Sequence, residues 1–144
     1  MPDCLRRGSI LWGEMPKHIA LITYLVRDYD EAIAWFQTAL GFRLFEDTNM
    51  GGGKRWVVMG PDAERGARFL LAKPANPEQT TAVGQAAGGR VAFFLHTDNF
   101  ARDHANMLAA GVRFVESPRH ESYGTVAVFE DLYGNRWDLL EPNA

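Results

Sequence analysis

The chain contains one pattern twice, and this internal duplication limits its possible folds more than any other feature. Three landmarks recur at a constant offset of 70 residues: Asp28 and Asp98, Gly41 and Gly111, and Glu46 and Glu116. Aspartate is a favourable helix N-cap, and glycine supplies the left-handed residue that ends a helix. Between each aspartate and glycine, apolar residues recur at helical spacing. Each copy therefore predicts a strand, a helix and a second strand.

Turn signals divide the rest of each copy into two further strands, so each half is a β-α-β-β-β module. We assign the first module to residues 16–73, a linker to residues 74–89 and the second module to residues 90–142; residues 1–15 are expected to be a disordered extension. One such sheet with one helix buries only one face. We therefore predict a single α+β domain, in which both modules curl into one mixed half-barrel sheet with the helices outside.

Composition excludes several classes of partner. The net charge is −3 and basic residues form no stripe, which argues against a nucleic-acid partner. No apolar run approaches the roughly 20 residues that a membrane span requires. The single cysteine, Cys4, allows no disulfide within the chain and fits a reducing compartment. A cytoplasmic protein with a small-molecule ligand in the concave side of its sheet is expected.

Side-chain alternation gives candidate residues for this concave side, which we call the cup. On the strand that starts at Arg90, Phe94 and His96 share the face assigned to the cup. His96 is a candidate general base because histidine titrates near neutrality, although a lone histidine at a strand end is more often only hydrogen-bonded at the rim.

Aromatic and charged residues elsewhere suggest ligand contacts. Trp56 could stack on a flat ligand, or it could belong to the core. The segment 118–124 could form a lid through Arg119, Glu121 and Tyr123, or it could be an ordinary polar loop.

Two motifs carry a resemblance to a known family: Asp28-x-x-x-Ala32-Ile33-x-x-Phe36-x-x-x-Leu40-Gly41-Phe42, and Asp131-Leu132-Tyr133-Gly134-Asn135. Over residues 16–142 the chain resembles the vicinal oxygen chelate superfamily, which includes glyoxalase I, bleomycin- and fosfomycin-resistance proteins, and extradiol dioxygenases. The resemblance implies the glyoxalase/bleomycin resistance fold, a homodimer, and a small planar or anionic ligand in the cup. Because this fold hosts several chemistries, it does not define a reaction.

Enzymes of that superfamily hold a divalent metal through His, Gln or Glu side chains from both modules. The matching positions in this chain are Leu21, Leu70 or Leu71, Arg90 and Asp138. A guanidinium is always charged and offers no lone pair to a metal. We therefore expect a metal-free cup in which Arg90 replaces the metal and forms a bidentate pair with Asp138. Arg90, Asp138 and His96 would then be the catalytic residues of any reaction.

An alternative keeps the metal. A bulge in the first strand could move His18 into the place of Leu21, so that His18, His96 and Asp138 would bind one divalent ion such as Zn, Ni, Mn or Fe. The protein would then be a metal-dependent lyase, thiol transferase or dioxygenase of the superfamily. The metal-free alternative is a binding or sequestering protein, or an enzyme of unassigned reaction.

Overall fold

The structure is a computed structural model that describes residues 16–144, so the predicted extension at residues 1–15 lies outside the described residues. The elements are β1 (Leu21–Leu25), α1 (Tyr29–Leu40), β2 (Arg43–Gly51), β3 (Lys54–Gly60), β4 (Arg68–Ala72), α2 (Pro77–Ala82), β5 (Val91–His96), α3 (Phe100–Ala109), β6 (Arg113–Phe114), β7 (Arg119–Glu121), β8 (Gly124–Glu130) and β9 (Arg136–Pro142). The predicted α+β class is confirmed. In the second half the short strands β6 and β7 both pair with β8, where the first half has the single strand β2.

The helix ends follow from the sequence. The Asp28 side chain caps α1 by accepting a hydrogen bond from the Glu31 backbone N–H at 2.8 Å, and Gly41 ends the helix with φ of 69°. In the second copy Asn99, the residue after the repeat aspartate, is the cap of α3 and accepts from the Arg102 backbone N–H at 3.0 Å.

The strands form two sheets. The N-terminal sheet has the order β1-β4-β3-β2, and the C-terminal sheet has the order β5-β9-β8-β6 with β7 also on β8. In the described part of the chain, β1 and β5 are therefore edge strands and do not pair with each other. A cavity of about 500 Å³ separates them and is lined by residues of both strands and of the linker. The single curled sheet expected within one chain is thus replaced by two separate sheets.

The packing of aromatic side chains explains why the modules associate in this way. Phe36 of α1 contacts Trp137 of β9, with ring centroids 6.1 Å apart, and Phe69 contacts Trp137 at 5.7 Å. Phe93 lies 4.8 Å from both Phe69 and Trp137. The modules therefore bury their helix-covered sides against each other. This contact removes large aromatic surfaces from water.

A buried polar side chain, Asp131, connects the two modules inside this core. Its Oδ2 accepts hydrogen bonds from the Tyr24 hydroxyl at 2.6 Å, the Trp137 indole N–H at 2.9 Å and the Asn135 amide at 3.1 Å. Its Oδ1 accepts from the backbone N–H groups of Tyr133 at 2.9 Å and Asn135 at 3.1 Å. Burial, together with the neighbouring Asp131, raises the pKa of the Tyr24 hydroxyl well above its usual value.

Two further contacts extend this connection to the linker and to α1. The Asn135 side-chain oxygen accepts from the Ala86 backbone N–H at 3.0 Å, which ties the linker to the β8–β9 turn. The Tyr133 hydroxyl donates to Glu31 of α1 at 2.7 Å.

No helix in residues 16–144 is long and apolar enough to cross a membrane.

Candidate functional site

The N-terminal sheet has one face covered by α1 and one open face. Phe36 packs against Tyr24 and Phe69, so the alternate residues of β1, β3 and β4 point to the opposite side. These open-face residues are Leu21, Thr23, Trp56, Val58, Arg68 and Leu70. Leu70 of β4 lies directly opposite Thr23 of β1 on one side and Val58 of β3 on the other.

A cavity of about 870 Å³ lies on this open face. It is lined by residues 18–21, Glu46, Trp56, Val58 and the β3–β4 loop with the first residue of β4, residues 63–68. The half-buried Trp56 lies on its wall, and His18 lies at its exposed edge. Of the residues predicted from the sequence, the structure therefore brings together His18 and Trp56 in this cavity.

The β3–β4 loop is held against the cavity by local contacts that the sequence did not suggest. The Arg68 guanidinium lies over the Phe45 ring, 3.6 Å from its centroid, and Arg68 Nη2 donates to the Ala63 carbonyl at 2.7 Å. Asp62 Oδ1 accepts from the backbone N–H groups of Glu64 and Arg65 at 2.7 and 3.2 Å. These bonds give the loop a defined shape at the cavity.

The C-terminal sheet also has an open face. Trp137 and Leu139 of β9 are buried in the core, so Asp138 between them points to the other side. Its neighbours across the strands are Phe94 on β5 and Val128 on β8. The Phe94 side chain is 63% exposed, which is unusual for a large aromatic residue in the middle of a strand. His96, which is also exposed, pairs with Leu140 farther along β9.

Charged side chains surround Asp138 on this open face. Arg119 donates to Glu116 Oε2 from Nε at 3.0 Å and to Glu121 Oε2 from Nη1 at 2.7 Å. Glu116 Oε2 also accepts from the Val128 backbone N–H at 3.0 Å, so this side chain bonds to β8 between the short strands β6 and β7. The segment predicted as a lid or polar loop is therefore a β-hairpin of β7 and β8, with the exposed Tyr123 at its turn.

Asp138 itself lacks a complete set of partners. Its Oδ1 atom is buried and has no hydrogen-bond partner among residues 16–144. Burial raises the pKa of the Asp138 carboxyl; Arg119 opposes this effect and Glu116 adds to it. Asp138 and Arg119 are among the residues predicted from the sequence, whereas Glu116 was recognised there only as a landmark of the repeat.

The predicted bidentate contact between Arg90 and Asp138 is not made within the described chain. Arg90 is exposed and precedes β5, whereas the residue paired with Asp138 is Phe94, four positions later. The register of β5 also shifts between Val91 and Phe93. Arg90 was placed by its match to a ligand position of the superfamily, and such a match does not take this irregularity into account.

The residues of one chain do not fit the metal site of the superfamily. Among residues 16–144, no three His, Cys, Asp or Glu side chains are close enough to share a metal ion. Leu21 and Leu70, at two of the family positions, lie on the open face of the N-terminal sheet and offer no lone pair. In the alternative set, His18 lies beside the N-terminal sheet, while His96 and Asp138 lie on the C-terminal sheet.

Comparisons with known proteins agree with the fold. Residues 17–139 match the model of the Glyoxalase/Bleomycin resistance protein/Dioxygenase superfamily. The chain is 52% identical over 127 residues to an uncharacterized protein of Shewanella frigidimarina (strain NCIMB 400), a match that covers 88% of this chain and 92% of that protein.

Two solved structures are similar over nearly their full length. UcmS2 is 33% identical with a TM-score of 0.73, and the match covers 88% of this chain and 98% of that one. TnmS3, an antibiotic binding protein from Streptomyces sp. CB03234, is 26% identical with a TM-score of 0.73, covering 89% and 98%. The chain therefore belongs to the glyoxalase/bleomycin resistance protein/dioxygenase superfamily, the vicinal oxygen chelate family that its motifs resemble.

Proposed function

We propose that the protein binds a small, flat organic molecule without a metal, as a binding or sequestering protein. The observation that carries this proposal is the cavity of about 870 Å³ on the N-terminal sheet, which has an indole ring on its wall. A cavity of this size that combines apolar and polar groups in its lining is typical of small-molecule sites. The similarity to TnmS3, an antibiotic binding protein, supports the same class of ligand.

We further propose that the complete cup forms between two copies of the chain. Within one chain the open faces belong to separate sheets, and both edge strands carry exposed apolar side chains. Ile19, just before β1, is 70% exposed, Leu21 and Ile22 are each 38% exposed, and Phe94 of β5 is 63% exposed. A twofold dimer that places β1 of one copy beside β5 of the other would cover both edges. It would also set the open face of each C-terminal sheet against a cavity of the partner.

The oligomeric state tests this second part directly. Sedimentation equilibrium is expected to give the mass of two chains. Ile22→Glu would place a charge on the edge strand β1 at the proposed contact and is expected to shift the protein toward the monomer. A wild-type monomer at all concentrations would contradict the dimeric cup.

A metal-dependent lyase, thiol transferase or dioxygenase is the second candidate, because His18 lies at the edge of the cavity and Asp138 has a free acceptor atom. Elemental analysis of protein purified without chelators separates the two candidates. About one Ni, Zn, Mn or Fe per chain, lost in His18→Ala, would establish the metal site and contradict the metal-free proposal. Absence of metal from protein that still binds a ligand would contradict the second candidate.

Two tryptophan variants test the binding cavity. Trp56 lies on the cavity wall, whereas Trp35 lies on α1 and packs against Phe36, 5.3 Å away. With a flat aromatic probe such as proflavine, Trp56→Phe is expected to remove a much larger share of the fluorescence quenching than Trp35→Phe. Trp56→Ala is expected to lower the affinity about tenfold, as the loss of one stacking contact predicts. Equal effects of the two phenylalanine variants would contradict a ligand at Trp56.

A further inference from the structure

The open face of the C-terminal sheet has an unused hydrogen-bond acceptor beside an exposed aromatic ring. Asp138 and Phe94 are direct neighbours on adjacent strands, so their Cα atoms are separated by roughly the 4.8 Å strand spacing. Asp138 Oδ1 is shielded from water and has no hydrogen-bond partner among the described residues. A buried polar atom of this kind costs free energy unless a donor reaches it.

The neighbouring guanidinium does not supply that donor. Arg119 donates to Glu116 at 3.0 Å and to Glu121 at 2.7 Å, and it makes no hydrogen bond to Asp138 Oδ1. Asp138, Glu116 and Glu121 are thus three acidic side chains grouped with one basic side chain, Arg119. This excess of acidic groups repels an anion and attracts a cation or a hydrogen-bond donor.

The exposed ring of Phe94 determines which donors fit. A flat ligand that stacks on this ring places a substituent at its edge within reach of the neighbouring strand, where Asp138 lies. The aliphatic side chains of Val128 and Leu140 occupy neighbouring positions on the same face. An amine on the ring would then meet the carboxylate once the Asp138 side chain rotates to present its shielded Oδ1, in surroundings where water competes weakly for the bond.

We infer that the cup selects flat aromatic ligands that carry a protonated amine or another hydrogen-bond donor, with Asp138 as the acceptor and Phe94 as the stacking surface. This inference rests on the proposed binding function and defines the chemical class of its ligand. It also replaces the anionic ligand considered from the sequence. The Asp138 carboxylate, at a position that matches a metal ligand of the superfamily, would thus bind an organic cation.

Three tricyclic probes of similar size test the selectivity of the full-length protein: proflavine, which is cationic and carries two amines, acridine, which is uncharged in mildly basic buffer, and acridine-9-carboxylate, which is anionic. In isothermal titration calorimetry, the affinity is expected to be highest for proflavine, lower for acridine and lowest for acridine-9-carboxylate. The affinities of proflavine and the carboxylate are expected to differ at least tenfold. Asp138→Asn is expected to weaken proflavine binding about tenfold or more, which is the typical loss for a hydrogen bond to a charged group. Acridine binding is expected to change less than about twofold.

Glu130→Gln is the matched control. Glu130 lies on the same sheet and is ion-paired to Arg113 at 3.3 Å, so the variant changes the net charge equally without touching an unpartnered atom. It is expected to leave the order and the affinities unchanged. Equal losses of proflavine affinity in the two variants would show that Asp138 acts only through its charge. This result would overturn the inference.

The outcomes also separate this inference from the proposed function. If the three probes bind equally and Asp138→Asn has no effect while Trp56→Ala still weakens binding, the selectivity is overturned and the binding function remains. If no probe binds and no tryptophan fluorescence changes, the binding function itself fails, and the inference fails with it.

Discussion

Replacing Asp131 by alanine is expected to lower the free energy of unfolding by about 3–5 kcal/mol, the typical cost of removing one partner from a buried polar network. The variant would leave the Tyr24 hydroxyl, the Trp137 indole N–H and two backbone N–H groups without their acceptor. All of these groups lie in the core, where water does not replace the lost bonds. Urea denaturation followed by far-UV circular dichroism measures the change.

Asp62→Ala is the matched control for this experiment. Asp62 also accepts two backbone N–H groups through one oxygen, but it lies in the exposed β3–β4 loop. Its replacement is expected to cost about 1 kcal/mol, as for the loss of an exposed cap. Tyr24→Phe, which removes one donor of the Asp131 network, is expected to fall between the two. If Asp131→Ala cost no more than Asp62→Ala, the buried network would not be what stabilises the junction of the modules.

Gly84→Ala is expected to lower the free energy of unfolding by about 2–4 kcal/mol, through backbone strain combined with steric overlap. Gly84 has φ of 81°, and a Cβ atom there would lie 2.1 Å from the Tyr133 carbonyl oxygen. Neither atom belongs to a flexible side chain, so the linker or the β8–β9 turn would have to move. The same denaturation assay measures the loss.

Gly88→Ala provides the comparison within the same linker. Gly88 also has positive φ, 61°, but no described atom lies within 4 Å of the Cβ position. Its replacement carries the left-handed strain alone and is expected to cost about 1 kcal/mol. Equal losses of unfolding free energy in the two variants would show that the close approach of the linker to Tyr133 does not contribute to the cost of the Gly84 substitution.

Local features of the fold could be predicted because neighbouring residues determine them. The cap at Asp28 and the stop at Gly41 require only the residues of one helix, and both are present in the structure. How the two sheets associate depends on contacts such as that between Phe36 and Trp137, which are separated by most of the chain. Periodicity along a strand contains no information about such contacts.

In the candidate site, too, features set by neighbouring residues could be predicted, whereas features set by tertiary packing could not. Phe94 was assigned to the cup from side-chain alternation, and Trp56 was given as either a stacking residue or a core residue. Both lie on open faces of their sheets. The contact between Arg90 and Asp138 was expected from the family ligand positions, whereas within the described chain Asp138 pairs with Phe94. The motif that begins at Asp131 was recognised as a family feature, but its hydrogen bonds to Tyr24 and Trp137 depend on tertiary packing.

The bonds of Asp131 have a consequence for how the duplicated halves behave when they are separated. A fragment that ended in the linker would keep the Tyr24 hydroxyl without its acceptor, and a fragment that began there would keep the acceptor without that donor. Each half would also uncover aromatic rings that the other half now covers. Although the sequence repeats itself, we expect that neither repeat folds on its own and that the whole chain melts in a single cooperative step.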